Sequence, residues 1–182
     1  ETGEPLGWLV VDTVRNGLSF GGCRMKADVT RGEVLELAQA MSWKLYCHGG
    51  PTGGAKAGIR IDPTTPGAKE LLSYFGNQLK AELSTRVVLG KDMGATDALM
   101  EVLYQGAGVS QLGLLGEMPF RWLREFRGYR KHMTGLGVAM ATCGALGTKE
   151  LTGLKVAIQG AGVVGLGTAV RLSELGADVM AM

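Results

Sequence analysis

From Leu154 onward the chain reads LKVAIQ, then GAGVVG, then an apolar run to Leu175, and then GADVMAM. A strand-like segment, a glycine turn, a helical segment and a second strand-like segment follow in that order. This is a βαβ unit in progress, and it constrains the fold more than any other feature, because parallel strands need a crossover helix between them. Gly160, Gly162 and Gly165 match G-x-G-x-x-G after a strand and at the opening of a helix, where free N–H groups can receive a pyrophosphate. A lone match of this kind is weak. Flanked by both strands, it reads as a dinucleotide site rather than a plain tight turn. The acidic residue that completes such a fingerprint falls ~20 residues further on, at or beyond Met182.

Upstream, the stretch 41–63, MSWKLYCHGGPTGGAKAGIRIDP, sets Lys44 and Lys56 on either side of a glycine-packed turn. Missing side chains at Gly53 and Gly54 let a ligand approach the backbone closely. If both ammonium groups face one pocket, repulsion and desolvation depress the pKa of at least one, giving a base or nucleophile usable near neutral pH. Taken singly, Lys44 complements a helix C-terminal dipole and Lys56 is a solvated loop charge. Together, among Gly49, Gly50, Gly53, Gly54 and Gly58, they point to a site.

The remaining pattern is α/β. Segments 8–14 and 18–25 read as strands joined by Arg15, Asn16 and Gly17, and Asn-Gly predicts a hairpin. Thr30 with Glu33 predicts a capping box, followed by Val34, Leu37, Ala38, Met41 and Leu45 at helical spacing. Lys44, three positions after Met41, borders that stripe. A strand is expected over 57–62. A helix opened by Pro66 follows, with Leu71, Leu72, Phe75, Leu79 and Leu83 apolar. A strand over 86–89 leads to Asp92, at the strand end where α/β sheets contact ligands; a turn or capping aspartate is the plainer alternative. A helix over 97–104, a glycine-punctuated loop over 106–116 and a helix from Thr134 containing Val138, Ala141 and Leu146 complete the pass. A domain boundary is expected just before Thr134.

Composition removes several classes of function. The net charge is +2 with no Lys/Arg run, so the basic footprint of a nucleic-acid binder is missing. RWLREFRGYRK over 121–131 comes nearest, as a groove for single strands or, in preference, an amphipathic helix with a snorkelling basic face. Cys23, Cys47 and Cys143 fit neither a disulfide framework nor a zinc site. His48 and His132 lack partners at metal-ligand spacing, and no metal is expected. GGPTGGAK misses G-x-x-x-x-G-K-[ST], because Ala55 intervenes and Ala57 carries no hydroxyl for magnesium. Thirty glycines in 182 residues, about double the usual ~7%, are spread among apolar segments and signal close packing. With no bilayer-spanning run and no signal-peptide pattern, the expectation is a cytoplasmic protein without a membrane or nucleic-acid partner. Both termini fall close to strand-like runs, as if cut from a longer chain.

In order, GGCRM at 21–25, MSWK ending at Lys44, PTGGAKAGI around Lys56, KDMGAT around Asp92, TGLGV at Thr134 and QGAGVVG at Gly160 resemble the glutamate, leucine, phenylalanine and valine dehydrogenase family. The resemblance covers nearly the whole chain. It implies a substrate-binding and catalytic α/β domain over 1–133, followed over 134–182 by the first βαβ part of a Rossmann dinucleotide-binding domain. The implied reaction is reversible oxidative deamination of an L-amino acid to a 2-oxo acid and ammonia, in the cleft between domains, with NAD or NADP. Carried over residue by residue, Lys44 binds the substrate carboxylate, Lys56 activates the attacking water and Asp92 shuttles protons at the amine nitrogen. Phe20, Gly21 and Gly22 line the substrate. Thr134 lies near the nicotinamide, and Gly160, Gly162, Val163, Val164 and Gly165 form the cofactor turn. A homo-oligomer is implied.

Two departures matter. Glutamate-specific relatives carry a lysine just before the Gly-Gly pair, where this chain has Phe20. Burying an unpaired carboxylate there is costly, which points to leucine, valine, isoleucine or phenylalanine and to that branch of the family. The family asparagine after the second glycine of the turn is Val163 here. That change favours a second reading, a non-catalytic fold relative or assembly module, whereas the three charges at Lys44, Lys56 and Asp92 favour the enzyme. On either reading the 182 residues alone are expected to be inactive.

Overall fold

A computed structural model describes residues 3, 5–110 and 132–182 of the chain. The chain divides into two units, Glu1–Met118 and Pro119–Met182. In the first, β1 (Gly7–Val11), β2 (Ser19–Met25), α1 (Arg31–Cys47), β3 (Gly53–Ile59), α2 (Ala68–Gln78), α3 (Lys80–Thr85), β4 (Val87–Lys91) and α4 (Asp97–Ala107) follow in order. The sheet order is β1-β3-β2-β4. β2 runs parallel to β3 and β4, and β1 is antiparallel to β3.

Strand alternation sorts the side chains by face. Cys23, Met25, Ala55, Ala57, Ile59, Val87 and Leu89 enter one core with Leu72 of α2, Leu83 of α3 and Leu103 of α4. Truncating one of those buried leucines to alanine costs about 2–5 kcal/mol. The opposite face carries Phe20, Gly22 and Arg24 of β2 and Gly54, Lys56 and Gly58 of β3. Helix α1 lies directly on it: a Cβ at Gly58 would collide with Val34, and one at Gly54 with the backbone of Ser42.

Thr30 caps α1 as its spacing predicts, accepting from the Glu33 N–H at 3.1 Å. The stripe Val34, Leu37, Ala38, Met41 and Leu45 is buried or half-buried. The hairpin expectation is corrected. Asn16 and Gly17 do form a tight turn with φ of 51° and 75°, closed by an Arg15–Leu18 bridge. The strands either side nevertheless do not pair, because β3 lies between them. The turn instead docks on the loop before β3, where Arg15 Nη1 and Asn16 Nδ2 each donate at 2.8 Å to the carbonyls of Gly50 and Pro51. Local turn chemistry holds, but non-local pairing decides the register.

Three further boundaries shift. β3 begins at Gly53, not 57, so Gly53 and Gly54 are strand residues; they are glycines because a Cβ would strike Thr13 and Ser42. The helix opened near Pro66 is two helices that meet at Leu79. Gly106 belongs to α4, where a Cβ would strike the backbone of Ser73. Ala107 ends α4 and Gly108 caps it, whereas residues 111–116 of that expected loop and the basic stretch 121–131 lie outside the described residues.

In the second unit, α5 (Met133–Leu146), β5 (Lys155–Ala157), α6 (Val163–Glu174) and β6 (Asp178–Ala181) form the expected crossover, with β5 and β6 parallel. Its core is Ala139, Cys143, Leu151, Leu172 and Ala177. Gly135, Ala139 and Cys143 form the buried stripe of α5, while Val138 and Leu146 are exposed within this unit. Close approach explains the offset: a Cβ on Gly135 would strike the backbone of Gly167 and Thr168 in α6. Among the described residues no helix is long and apolar enough to cross a membrane.

Candidate active site

Asp92 follows the last residue of β4, and its carbonyl accepts from Ala95 N–H at 3.0 Å to shape the turn into α4. The strand leading to it is tied to α4 by Tyr104, whose hydroxyl donates to the Leu89 carbonyl at 3.0 Å and accepts from the Leu89 N–H at 2.9 Å. Two cations meet one oxygen of Asp92: Lys56 Nζ lies 3.0 Å, and Arg24 Nε 2.8 Å, from Oδ2. Among the described residues Oδ1 has no hydrogen-bond partner. Arg24 Nη1 also donates to Glu33 Oε1 at 2.6 Å. Glu33 thus uses its backbone for the Thr30 cap and its carboxylate for the site, instead of returning it to the cap as a full capping box would.

The sheet builds this cluster. β2 and β3 run in register from Phe20↔Gly54 to Arg24↔Gly58, and Gly22 pairs with Gly90 on β4. Gly22 lies between Phe20 and Arg24 on the same face. A Cβ there would come within 2.9 Å of Asp92 Cβ and 3.4 Å of Lys56 Nζ. A Cβ on Gly21 would strike the Ala55 carbonyl. Both glycines of the Gly-Gly pair are therefore demanded by contact, one by the ladder and one by the site. Phe20, half-buried, extends its ring to within 3.7 Å of a Cβ built on Gly90, so it borders the same face.

Burial raises the Asp92 pKa, but hydrogen bonding and charge from Lys56 and then Arg24 outweigh it, and the carboxyl is held below the ordinary carboxylate range. For Arg24, burial works against the charge and the hydrogen bonds to Glu33 and Asp92 more than restore it, so the net shift is upward. The Cys23 thiol, buried on the far face of β2, is pushed up to about 12 by burial and by the charge of Asp92, with Lys56 opposing.

The structure thus brings Lys56, Asp92 and Gly22 together and adds Arg24 and Glu33, to which the sequence alone assigns no place in the site. The available signal was period two: Arg24 shares a face with Gly22 and Phe20. Lys44 is exposed and makes no ion pair among the described residues. Eleven positions after Glu33, it lies ~20° from it around the helix and about 16 Å along the axis, so the two share a flank of α1.

In the second unit, each glycine of GAGVVG has its own cause. Gly160 has φ of 98° at the turn. A Cβ on Gly165 would strike the Gly160 carbonyl, whereas one on Gly162 would meet nothing within 4 Å. Gly162 is the N-cap of α6 with no side-chain cap, and Val163 and Val164 are exposed. An open backbone approach in front of uncapped N–H groups suits a pyrophosphate, so these residues fit the cofactor. Thr134 is exposed at the start of α5, beside the Gly135 crossing onto α6.

Comparison with known proteins bears on the family. The Glu/Leu/Phe/Val dehydrogenase dimerisation domain matches residues 6–107, and Glutamate/Leucine/Phenylalanine/Valine dehydrogenase matches residues 128–182. The chain is 32% identical to glutamate dehydrogenase of Aeropyrum pernix, over 97% of itself and 44% of the relative. It is 31% identical to that of Thermotoga maritima over the same shares. A hetero-hexameric glutamate dehydrogenase from Thermus thermophilus, in a Leu-bound form, superposes with a TM-score of 0.75 at 28% identity, over 95% of this chain and 44% of that one. Phenylalanine and leucine dehydrogenases from Bacillus match at 29% and 28%. The expected nearness to the leucine, valine and phenylalanine branch is thus corrected, since the leading matches carry the glutamate name. The chain spans about 44% of the length of its first relatives, and it belongs to the Glu/Leu/Phe/Val dehydrogenase family.

Proposed function

We propose that the full-length protein is an NAD(P)-dependent dehydrogenase that reversibly deaminates an apolar L-amino acid to its 2-oxo acid and ammonia. The observation that carries this reading is the buried Lys56 ammonium on Asp92 Oδ2, with Oδ1 left open. Residues 1–133 serve as the substrate-binding and catalytic domain, and 134–182 open the dinucleotide-binding domain. Gly160, Gly162 and Gly165 would hold the pyrophosphate of a nicotinamide dinucleotide, with Thr134 near its nicotinamide, and the bound cofactor would supply the hydride acceptor.

This chain's residues supply the proton chemistry and the orientation. Lys44 holds the α-carboxylate. Lys56 directs a water to the Cα imine carbon through the N–H groups not used on Asp92. Asp92 accepts and returns the amine proton at Oδ1, a role that needs a carboxylate ionised at neutral pH. For an apolar side chain the support is Phe20: the cations on its face, Arg24 and Lys56, are both engaged with Asp92, leaving neither for a second substrate carboxylate. A homo-oligomer suits the match to a dimerisation domain.

The test is NAD(P) reduction by the full-length protein across a panel of L-amino acids at alkaline pH. Turnover is expected with leucine, valine, isoleucine or phenylalanine ahead of glutamate. No turnover with any of them leaves the non-catalytic reading, which exposed Val163 in place of the family asparagine favours.

A further inference from the structure

We infer that Arg24, braced by Glu33, is a positioning residue that fixes the carboxylate of Asp92 with Oδ2 engaged and Oδ1 alone presented to the substrate. The inference deepens the proposed function and rests on it for the role of Asp92.

The argument is geometric. Nε of Arg24 reaches Asp92 Oδ2 at 2.8 Å while Nη1 reaches Glu33 Oε1 at 2.6 Å. Two carboxylates from different elements, one after β4 and one on α1, are held by separate nitrogens of one planar group, which a single ammonium cannot do. Arg24 is itself largely buried, its side chain 16% exposed, so the fork is held rather than free in water. Lys56 takes the same Oδ2 at 3.0 Å. With both cations on one oxygen, the carboxylate cannot turn without breaking two charge-assisted bonds. Removing Arg24 leaves only a point charge with rotatable donors, around which either oxygen can settle. Lys56 would then be drawn fully onto Asp92 and away from the water it directs.

The groups around Asp92 are Lys56 from β3, Arg24 and the Cys23 thiol from β2, and Glu33 from α1 acting through Arg24. Lys91, next in the chain, is held away by Asp97 of α4 at 2.8 Å. Arg24 is thus the group that supplements Lys56 in keeping Asp92 ionised.

The experiment uses the full-length protein with Arg24→Gln, Arg24→Lys and Glu33→Gln, folding being checked by thermal unfolding. For Arg24→Gln, kcat is expected to fall by roughly 10²-fold, with KM little changed and the acidic limb of kcat/KM moved to higher pH. Glu33→Gln should move both in the same direction by less. Arg24→Lys should return the acidic limb toward wild type without recovering the rate. An Arg24→Gln protein that keeps kcat within about twofold of wild type, with its acidic limb in place, overturns the inference. If Arg24→Gln does not fold, the half-exposed Glu33→Gln decides, and unchanged kcat and limb there overturn it equally. A ¹³C carboxyl titration of Asp92 reads the same clamp without turnover: the midpoint rises in the variants if the inference holds and stays put if it fails. A wild-type protein that turns over no amino acid defeats the proposed function, while this titration still decides whether Arg24 holds Asp92.

Discussion

Gly22 faces Asp92 so closely that a Cβ built on the glycine would stand 2.9 Å from the Cβ of the aspartate. The same added carbon would lie 3.1 Å from the Lys91 carbonyl and 3.4 Å from Lys56 Nζ. Gly22→Ala must therefore move the carboxylate or the strand that carries it. A stability loss of about 1–3 kcal/mol is expected, with kcat/KM down by roughly 10²-fold. Urea unfolding and steady-state kinetics on the full-length protein check the pair of effects. Wild-type kinetics in the alanine variant would show that the site tolerates a displaced Asp92.

The carboxyl of Asp92 also makes stability depend on pH. Its folded pKa is below its unfolded value, since Lys56 and Arg24 outweigh burial. Its contribution is therefore fully present above the unfolded value of ~3.9 and lost as pH falls through the lower folded one. Asp92→Asn should cost more stability at neutral pH than at about pH 3. Denaturant curves at the two values measure the difference, and an equal cost at both would contradict it.

Lys56 is 5% exposed, and its ammonium has Asp92 as its ion-pair partner. Lys56→Met keeps much of the volume and removes the charge, while Arg24 still holds Asp92. Such a protein should fold and lose turnover by about 10²–10⁴-fold, the range of a general acid–base group. Single-turnover kinetics should place the loss in the chemical steps, and a loss confined to KM would reassign Lys56 to binding.

On the proposed function, Phe20 selects an apolar substrate side chain. Phe20→Lys places a cation on the face that already holds Arg24 and Lys56, and should shift the kcat/KM ratio toward glutamate over leucine by about 10-fold or more. A ratio that does not move would mean that the side-chain pocket is set by other residues.

The cysteines should label in two classes. Cys47 is exposed, whereas Cys23 and Cys143 are buried, and the Cys23 thiol is pushed up to about 12. Iodoacetamide near neutral pH is expected to modify Cys47 alone until denaturant opens the fold, because the thiolate is the reacting species. Peptide mass spectrometry checks the order.

What the sequence disclosed divides along a physical line. Helix α1 with its Thr30 cap, and the β5–α6 turn at Gly160, were legible because their determinants are local: a side chain reaching three residues on, or a glycine at positive φ. The pairing of β1 and β2 was misread because Asn16-Gly17 specifies a turn and not the strand that later comes between its arms. Gly53 and Gly54 read as loop because glycine is rare in strands. They are glycines on account of Thr13 and Ser42, contacts that exist only after folding. Period two along β2 puts Arg24 on the face of Gly22 and Phe20, but its partners Glu33 on α1 and Asp92 after β4 are set by the fold and not by any local spacing.

The alternation along β2 has a consequence for how such a protein can diversify. Phe20 and Arg24 point the same way, four residues and about 13 Å apart, with Gly22 between them. On the proposed function, changes at position 20 would retune which side chain is admitted while Asp92 stays anchored through Arg24 two pleats away. A lineage can therefore exchange diets without rebuilding its chemistry.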